Sequence, residues 1–391
     1  MRTQVAIIGG GPAGLMLSHL LHLDGIDSIV VEKHPREHVL QRIRAGVLEA
    51  GSVQLLRDVG LGERMDAEGH PHDGAYIVWK GEQKVLIDTA KYTGKQMMAY
   101  GQTAITEDLY AARDRDGGQI IDEAQSVALH DLTTEEPFVT FEKDRKVERI
   151  ECDFVAGCDG FHGVSRRCIP SSTLVNYDKS YPFGWLGILA ETRPLPDIVY
   201  ANHERGFALA SQRSERMSRY YIQCPLDNSV EEWPDDRFWE ELKARFPADM
   251  ADAIETGPSI EKSIAPLRSF VSEPMRYGRL FTAGDAAHIV PPTGDNGLNL
   301  AFCDVWYLSR GLIRHYKDNA DDLLDKYSET ALRRVWGAER MSWYLTRLLH
   351  LFPDDNPFDQ RTREDELDYV ARSENAMAAL AEQYVGLPYE M

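Results

Sequence analysis

The chain runs to 391 residues, 43% of them hydrophobic and 27% charged, with a formal net charge of −20. That length buries a large core and predicts one or two domains of a globular enzyme. The acidity excludes a nucleic-acid partner, which needs clustered Lys and Arg against phosphates, and it obliges an anionic ligand to find a local basic pocket. Five cysteines (Cys152, Cys158, Cys168, Cys224, Cys303) with no C-x-x-C spacing fit free thiols in a reducing compartment, and neither a disulfide framework nor a metal site. No run approaches about 18 continuous apolar residues, and no basic-then-apolar leader opens the chain, so the expectation is a cytoplasmic protein away from membranes.

Gln4 to Ile8 (QVAII) is a short apolar run with β-branched residues and predicts a buried parallel strand. Gly9-Gly10-Gly11-Pro12-Ala13-Gly14 follows and carries G-x-G-x-x-G. Gly9 makes the tight turn, Gly11 lets backbone N–H groups approach a pyrophosphate, and Gly14 lets the next helix lie close to the strand. That helix, to about Leu23, aims its positive end at the phosphates, and Asp24-Gly25 stops it. Ser28 to Val31 predicts a second strand, with Glu32 at its end to accept hydrogen bonds from both hydroxyls of an adenosine ribose. Together they predict a dinucleotide site.

Glu37 to about Val59 reads as helical and holds Arg42 and Arg44, which at i and i+2 do not share a helix face; one of them can reach a diphosphate. Ala75–Trp79 and Lys84–Ile87 around Gly81 read as a hairpin. Tyr100-Gly101-Gln102 precedes a helix from about Thr106 to Asp114. Ser126–Leu129, Phe138–Glu142 and Arg149–Phe154 form a meander, and Val155 to Gly160 a strand ending in a sharp Asp-Gly turn. Phe183–Leu189, Ile198–Ala201, Gly206–Ala210 and Arg219–Cys224 predict a second sheet. Glu231–Phe246 is a helix with an acidic first turn. Ala265–Phe270 and Arg279–Thr282 return to the first layer, before Gly284-Asp285. Gly297–His315 is a long helix, Ala320–Phe352 one or two more, and the last forty residues a helical tail.

Three segments converge: the N-terminal fingerprint, Cys158-Asp159-Gly160 and Gly284-Asp285 each end a strand with small residues and an acid, where ligands sit in open α/β sheets. In this reading Asp285 accepts from a ribityl chain, and the helix from Gly297 offers the N–H groups of Leu298 and Asn299 to the polar edge of a flavin.

With these residues stand 42–49 (RIRAGVLE), 156–163 (AGCDGFHG), 181–187 (YPFGWLG), 211–214 (SQRS), 265–270 (APLRSF), 284–294 (GDAAHIVPPTG) and 384–389 (YVGLPY). The chain resembles the class A flavoprotein aromatic hydroxylases, most closely their 4-hydroxybenzoate 3-hydroxylase branch. The resemblance implies a mixed α/β fold: a Rossmann-type FAD-binding domain (1–72, 99–180, 267–350), an interleaved β-sheet substrate domain (73–98, 181–266) and a C-terminal helical region (351–391), usually as a homodimer. It implies FAD held by Gly9, Gly11, Pro12, Ala13, Gly14, Glu32, Arg42, Arg44, Gln102, Asp159, Asp285, Leu298 and Asn299. Ser211, Arg213 and Tyr221 then hold a substrate carboxylate, for which a guanidinium fork with two hydroxyls is chemically apt. Tyr200 and Tyr384 carry the phenol proton, the Pro292 carbonyl orients the phenol, and Thr293 lies beside the flavin. His72 ends the relay, as suits a group titrating near neutrality, and Arg219 gates flavin movement. The implied reaction turns 4-hydroxybenzoate into 3,4-dihydroxybenzoate with O2 through a flavin C4a-hydroperoxide.

The implied reductant is NADPH, with NADH also accepted, met by Lys33, His34, His38, Arg44, His162, Arg166 and Arg268. Here the chain departs from the NADPH-selective pattern: residues 33–38 read KHPREH, with an acid at Glu37 and no tyrosine. A second departure is Asp295-Asn296, an extra acid near the flavin. Two rivals stay open: a sister hydroxylase acting on another phenolic acid such as 3-hydroxybenzoate, and a flavin-free nicotinamide dehydrogenase, which leaves Gly284-Asp285 unexplained.

Overall fold

The structure is a computed structural model and describes residues 1–41, 46–294 and 296–389. Its first layer is a six-stranded sheet in the order Arg276–Tyr277, Leu280–Thr282, Phe154–Gly157, Val5–Ile8, Ser28–Val31, Gln119–Ile121. Val5–Ile8 lies at its centre, parallel to both neighbours, with Val5 opposite Ser28 on one side and Phe154 on the other. Val5, Ala6 and Ile7 are fully buried, as a parallel strand covered on both faces requires. Helix Pro12–Leu23 starts on proline, whose missing N–H costs nothing there. It ends at Asp24 and at Gly25, whose φ of +75° suits glycine. Helices Gln102–Arg115 and Asn296–Asp318 pack against it.

The second layer is an eight-stranded mixed sheet in the order His288–Ile289, Ser259–Glu273, Val175–Ala190, Met217–Cys224, Ala208–Ser214, Ile198–Ala201, Gly74–Trp79, Gln83–Asp88. Its inner face meets the C-terminal helices Asp322–Leu349, Pro357–Arg372 and Glu374–Tyr384 in a core that includes Trp185, Tyr200, Phe207, Leu345 and Tyr384. Gln125–His130, Phe138–Lys143 and Lys146–Glu151 make the expected antiparallel meander. The hairpin around Gly81 and the long helix after Gly294 are also as read, and 322–349 is one continuous helix.

Several elements differ from the sequence reading. The helix expected over 37–59 is helix Arg36–Leu40 and helix Ala50–Asp58 with a strand, Val47–Leu48, between them. That strand pairs with Met98 and Ala99, and a Cβ on Gly46 would lie 2.7 Å from Gly101 Cα, so long-range pairing overrides the helical pattern. Ala265–Phe270 does not return to the first layer. It belongs to the long strand Ser259–Glu273, paired antiparallel with Val175–Ala190 in the second sheet. The run 149–154 splits at Cys152 into the end of the meander and the start of the parallel strand Phe154–Gly157. The helix expected from Glu231 begins at Asp235 behind Pro234 and ends at Lys243, with Val230–Glu232 a separate turn closed by a Ser229–Glu232 capping box. Helix Gln102–Arg115 starts a turn early, which puts Gln102 in its first turn. No helix among the described residues is long and apolar enough to cross a membrane.

Candidate active site

Steric facts at three glycines bring the acid-tipped strand ends together. A Cβ on Gly9 would lie 2.3 Å from the Cys158 carbonyl oxygen and 3.0 Å from Asp159 Cα. One on Gly14 would lie 2.0 Å from Gly9 O, and one on Gly284 3.8 Å from Ala13 Cβ. Only glycine permits the first two approaches. A Cβ on Gly11, by contrast, would meet nothing within 4 Å, which leaves open space above the turn where a pyrophosphate is expected. Glu32 sits beside it, its Oε2 accepting from Gly10 N at 2.6 Å and Oε1 from His34 N at 2.8 Å.

Asp159 turns inward. Its Oδ2 accepts from the Ser165 N–H and hydroxyl at 2.9 and 3.0 Å, while Oδ1 is buried without a partner among the described residues. Burial pushes its pKa up, against those two hydrogen bonds. Leu298 and Asn299 fall in the first turn of helix Asn296–Asp318, where N–H groups lack intrahelical acceptors. The Asn299 side chain is already committed, with Oδ1 accepting from Glu49 N and Nδ2 donating to Val47 O. Open space at Gly11, the paired acceptor Glu32, the orphaned Asp159 oxygen and this helix terminus all fit FAD. Arg42, Arg44 and Asp295 lie outside the described residues.

The second sheet supplies a polar face. Register aligns Tyr200 with Leu209, Leu209 with Tyr221 and Tyr221 with Gly187, while Ser211 aligns with Arg219. Tyr200, Ser211, Arg219 and Tyr221 therefore share one face. The pairing shifts between Gln212 and Ser214, so Arg213 sits at a bulge, a device that re-aims a side chain. Its Nη1 donates to Gln212 O at 3.1 Å, and its Nε is buried without a partner among the described residues. Arg219, 5% exposed, donates from Nε to Tyr221 Oη at 3.0 Å and meets Glu261 at 3.3 Å. Because Tyr221 accepts that bond, its own proton is free to be donated. Ser211 spends its single proton on Arg219 O at 3.0 Å. Gly187 makes room for the Tyr221 ring, since a Cβ there would lie 2.6 Å from it.

Tyr200 and Tyr384, both buried, join hydroxyl to hydroxyl at 3.0 Å. His72 is buried rather than solvated, and burial pushes its pKa down. Its Nε2 stands 3.0 Å from Gln212 Nε2. With the amide as donor, the ring is neutral and carries its proton on Nδ1. Thr346 Oγ1 has two acceptors within reach of its one proton, Thr293 Oγ1 at 3.0 Å and Ser342 O at 2.6 Å. Pro292 precedes it, half-buried.

Sequence reasoning missed the supports of this site. Glu49 and Arg334 form a buried ion pair; burial pushes the Glu49 carboxyl up and Arg334 opposes it. Ala50 N donates to Val385 O, fastening this segment next to Tyr384. Trp185 Nε1 donates to His350 Nε2 at 2.7 Å, and His350, pushed down to about 3 by burial, stays neutral with its other nitrogen on Thr346 O. None of these has a local signal except Glu49, an acid in an apolar stretch that calls for a buried partner.

Of the residues expected to meet a nicotinamide, His162, Arg166 and Arg268 gather at Phe161. Its ring lies 4.6 Å from the Arg166 guanidinium carbon and 4.5 Å from that of Arg268, and 5.0 Å from the His162 ring. Arg268 also pairs with Asp178. Lys33 follows Glu32, and the rings of His34 and His38 stack at 4.3 Å.

Fold and cradle define a dinucleotide-binding flavoprotein, and residues 2–342 match the family model described as "FAD binding domain". The chain is 52% identical to the p-hydroxybenzoate hydroxylase of Acinetobacter baylyi, across 100% of this chain and 97% of that one. It belongs to the FAD-dependent aromatic hydroxylase family of which that enzyme is a member. It is also 28% identical to the rifampicin monooxygenase of Streptomyces venezuelae over 83% of this chain and 67% of that one. Its fold matches p-nitrophenol 4-monooxygenase of Pseudomonas putida with a TM-score of 0.82 at 17% identity, covering 99% of each chain.

Proposed function

We propose that the protein hydroxylates 4-hydroxybenzoate at C3 to 3,4-dihydroxybenzoate, using FAD, O2 and a reduced nicotinamide. When bound, FAD accepts hydride from the nicotinamide and activates O2 for transfer of one oxygen atom. The observation that carries the substrate is the register of the second sheet. Tyr221 stands two strands from Tyr200, roughly 10 Å at about 4.8 Å per strand. Ser211 is one strand across and two residues along, roughly 8 Å away. Such a gap suits a ring whose polar groups lie at opposite ends.

In this reading the Arg213 guanidinium and the Tyr221 hydroxyl grip the carboxylate, and the Ser211 proton swings to it from the Arg219 carbonyl. The phenol gives its proton to Tyr200, which passes one to Tyr384 across their 3.0 Å contact. Losing that proton makes the ring carbon beside the phenol oxygen electron-rich. The Pro292 carbonyl orients the phenol, and neutral His72 receives the proton at the outer end on Nε2, the nitrogen it frees by releasing the Gln212 amide. Trp185, Phe207 and Tyr384, all buried, wall out water that would divert the activated oxygen to peroxide. Glu32, Gln102, Asp159, Asp285 and the first turn at Leu298–Asn299 would hold FAD, with its phosphates at Gly9–Gly14, and Arg219, bonded to Tyr221 and Glu261, would link substrate binding to flavin position.

NADPH is the assigned reductant, with NADH also accepted. The cluster of His162, Arg166 and Arg268 supports the nicotinamide nucleotide, and Lys33, His34 and His38 a 2′-phosphate. Exposed Trp336, Trp343, Phe358 and Tyr369 suit a homodimer, and five unpaired thiols a reducing cytoplasm. The test is substrate-stimulated NADPH oxidation with oxygen uptake and product identification across the hydroxybenzoate isomers. A colourless protein, or stimulation by 3-hydroxybenzoate above that by the 4-isomer, refutes the assignment. Steady-state kinetics with both nucleotides checks the reductant, and a strong NADH preference reverses that ordering.

A further inference from the structure

One buried acid plays no part in that chemistry. Asp304 lies on helix Asn296–Asp318, fully buried, four residues from Leu300 and from Leu308 on the apolar face. Its Oδ2 accepts the backbone N–H of Gly284 at 2.8 Å and stands 2.6 Å from His288 Nε2. Its Oδ1 has no partner among the described residues, so the charge rests on those two contacts. They bracket the short turn Gly284–Ala286 that presents Asp285. Gly284 has a φ of +61°, a left-handed conformation that glycine adopts without cost and other residues do not. His288 also pairs with Val271 at the edge of the second sheet. One carboxylate thus ties together the cofactor turn, the helix whose first turn faces the cofactor, and the substrate sheet. Burial opposes a charge on His288, yet Asp304, helped by Asp285 and Glu339, outweighs it and its pKa is raised.

We propose that Asp304 is a positioning residue for FAD, clipping the Gly284–Asp285 turn through Gly284 N–H and the His288 ring. Titration of apoprotein with FAD, followed by quenching of flavin fluorescence, reads this without turnover. Asp304→Asn keeps the size and one acceptor but removes the charge, and the FAD dissociation constant is expected to rise at least about tenfold, the scale of one lost charge-assisted hydrogen bond. Should that variant fail to fold, Asp304→Asn with His288→Gln buries no charge and carries the same expectation. The wild-type constant should also rise as pH climbs through the raised pKa of His288, where Asp304, Asp285 and Glu339 are the acids facing it. That rise should vanish in the double variant. A merely structural Asp304 would lower the melting temperature of the apoprotein while leaving FAD affinity and its pH profile unchanged. That result, or an affinity within twofold of wild type in the variant measured, overturns the proposal.

Discussion

Glu339 offers a quantitative test of the buried polar layer between the two sheets. It stands on helix Asp322–Leu349, 5% exposed, with Oε1 lacking a partner among the described residues. Burial raises its carboxyl from 4.5 to about 7, against bonds from Ser269 and the Phe270 backbone and the charge of His288. The raised value fixes the sign. Between pH 4.5 and about 7 the folded chain holds a proton that the unfolded chain has lost, so stability is greatest below that window and falls as pH rises through it. At about 1.4 kcal/mol per pH unit the loss comes to about 3 kcal/mol, an order-of-magnitude figure. Glu339→Gln carries no charge and removes that slope. Urea unfolding of the apoprotein, wild type and variant, at pH 5 and pH 8 measures it without the linkage that FAD binding adds. The stability difference between the two proteins should shift by close to 3 kcal/mol in favour of the variant at the higher pH, as roughly two pH units of the window lie above pH 5. A difference constant to within about 0.5 kcal/mol would refute the reasoning, since that is the ordinary scatter of a substitution with no such mechanism.

Two further outcomes probe the substrate face. Arg213→Ala should weaken 4-hydroxybenzoate binding by about 2–5 kcal/mol, the cost of truncating one partner of a buried charge pair, measured from the flavin absorbance change on titration; unchanged affinity removes Arg213 from the clamp. Gly187→Val places atoms where the Tyr221 ring now lies, 2.6 Å from the position of its Cβ. It should raise the KM for 4-hydroxybenzoate about tenfold, one hydrogen bond's worth, with FAD affinity unchanged, and an unaltered KM would show that Tyr221 is not needed where it stands.

What the sequence makes legible are features whose cause is local. Gly9 and Gly14 announce the fingerprint because backbone passes within contact distance of their missing Cβ atoms, and Glu32 follows from the length of one βαβ step. Val47–Leu48 was misread as helix because its pairing partner, Met98–Ala99, is some fifty residues away and leaves no trace in the local pattern. Asp304 was not legible, because nothing nearby in the chain names Gly284 and His288 as its partners. Gln212 illustrates the same limit. It lies between two expected clamp residues, and only the fold reveals that its side chain meets His72, 140 positions away.

The acidity of the chain makes Arg213 the most telling residue of the site. With 63 acids against 43 lysines and arginines, carboxylate partners for an arginine are plentiful. Arg36 forks onto Asp114 and Arg57 onto Asp66, Arg276 meets Asp325, and Arg64 reaches three acids at once. Arg219, a neighbour on the same face, has Glu261. Among the described residues Arg213 meets the carbonyl of Gln212 and no acid, and its buried Nε is unpaired. A half-buried guanidinium with no acid paired to it among the described residues is costly unless a carboxylate arrives from outside, and it sits at a bulge, a device that re-aims a side chain. A carboxylate clamp at Arg213 would thus offset locally the negative surface that slows an anionic substrate's approach.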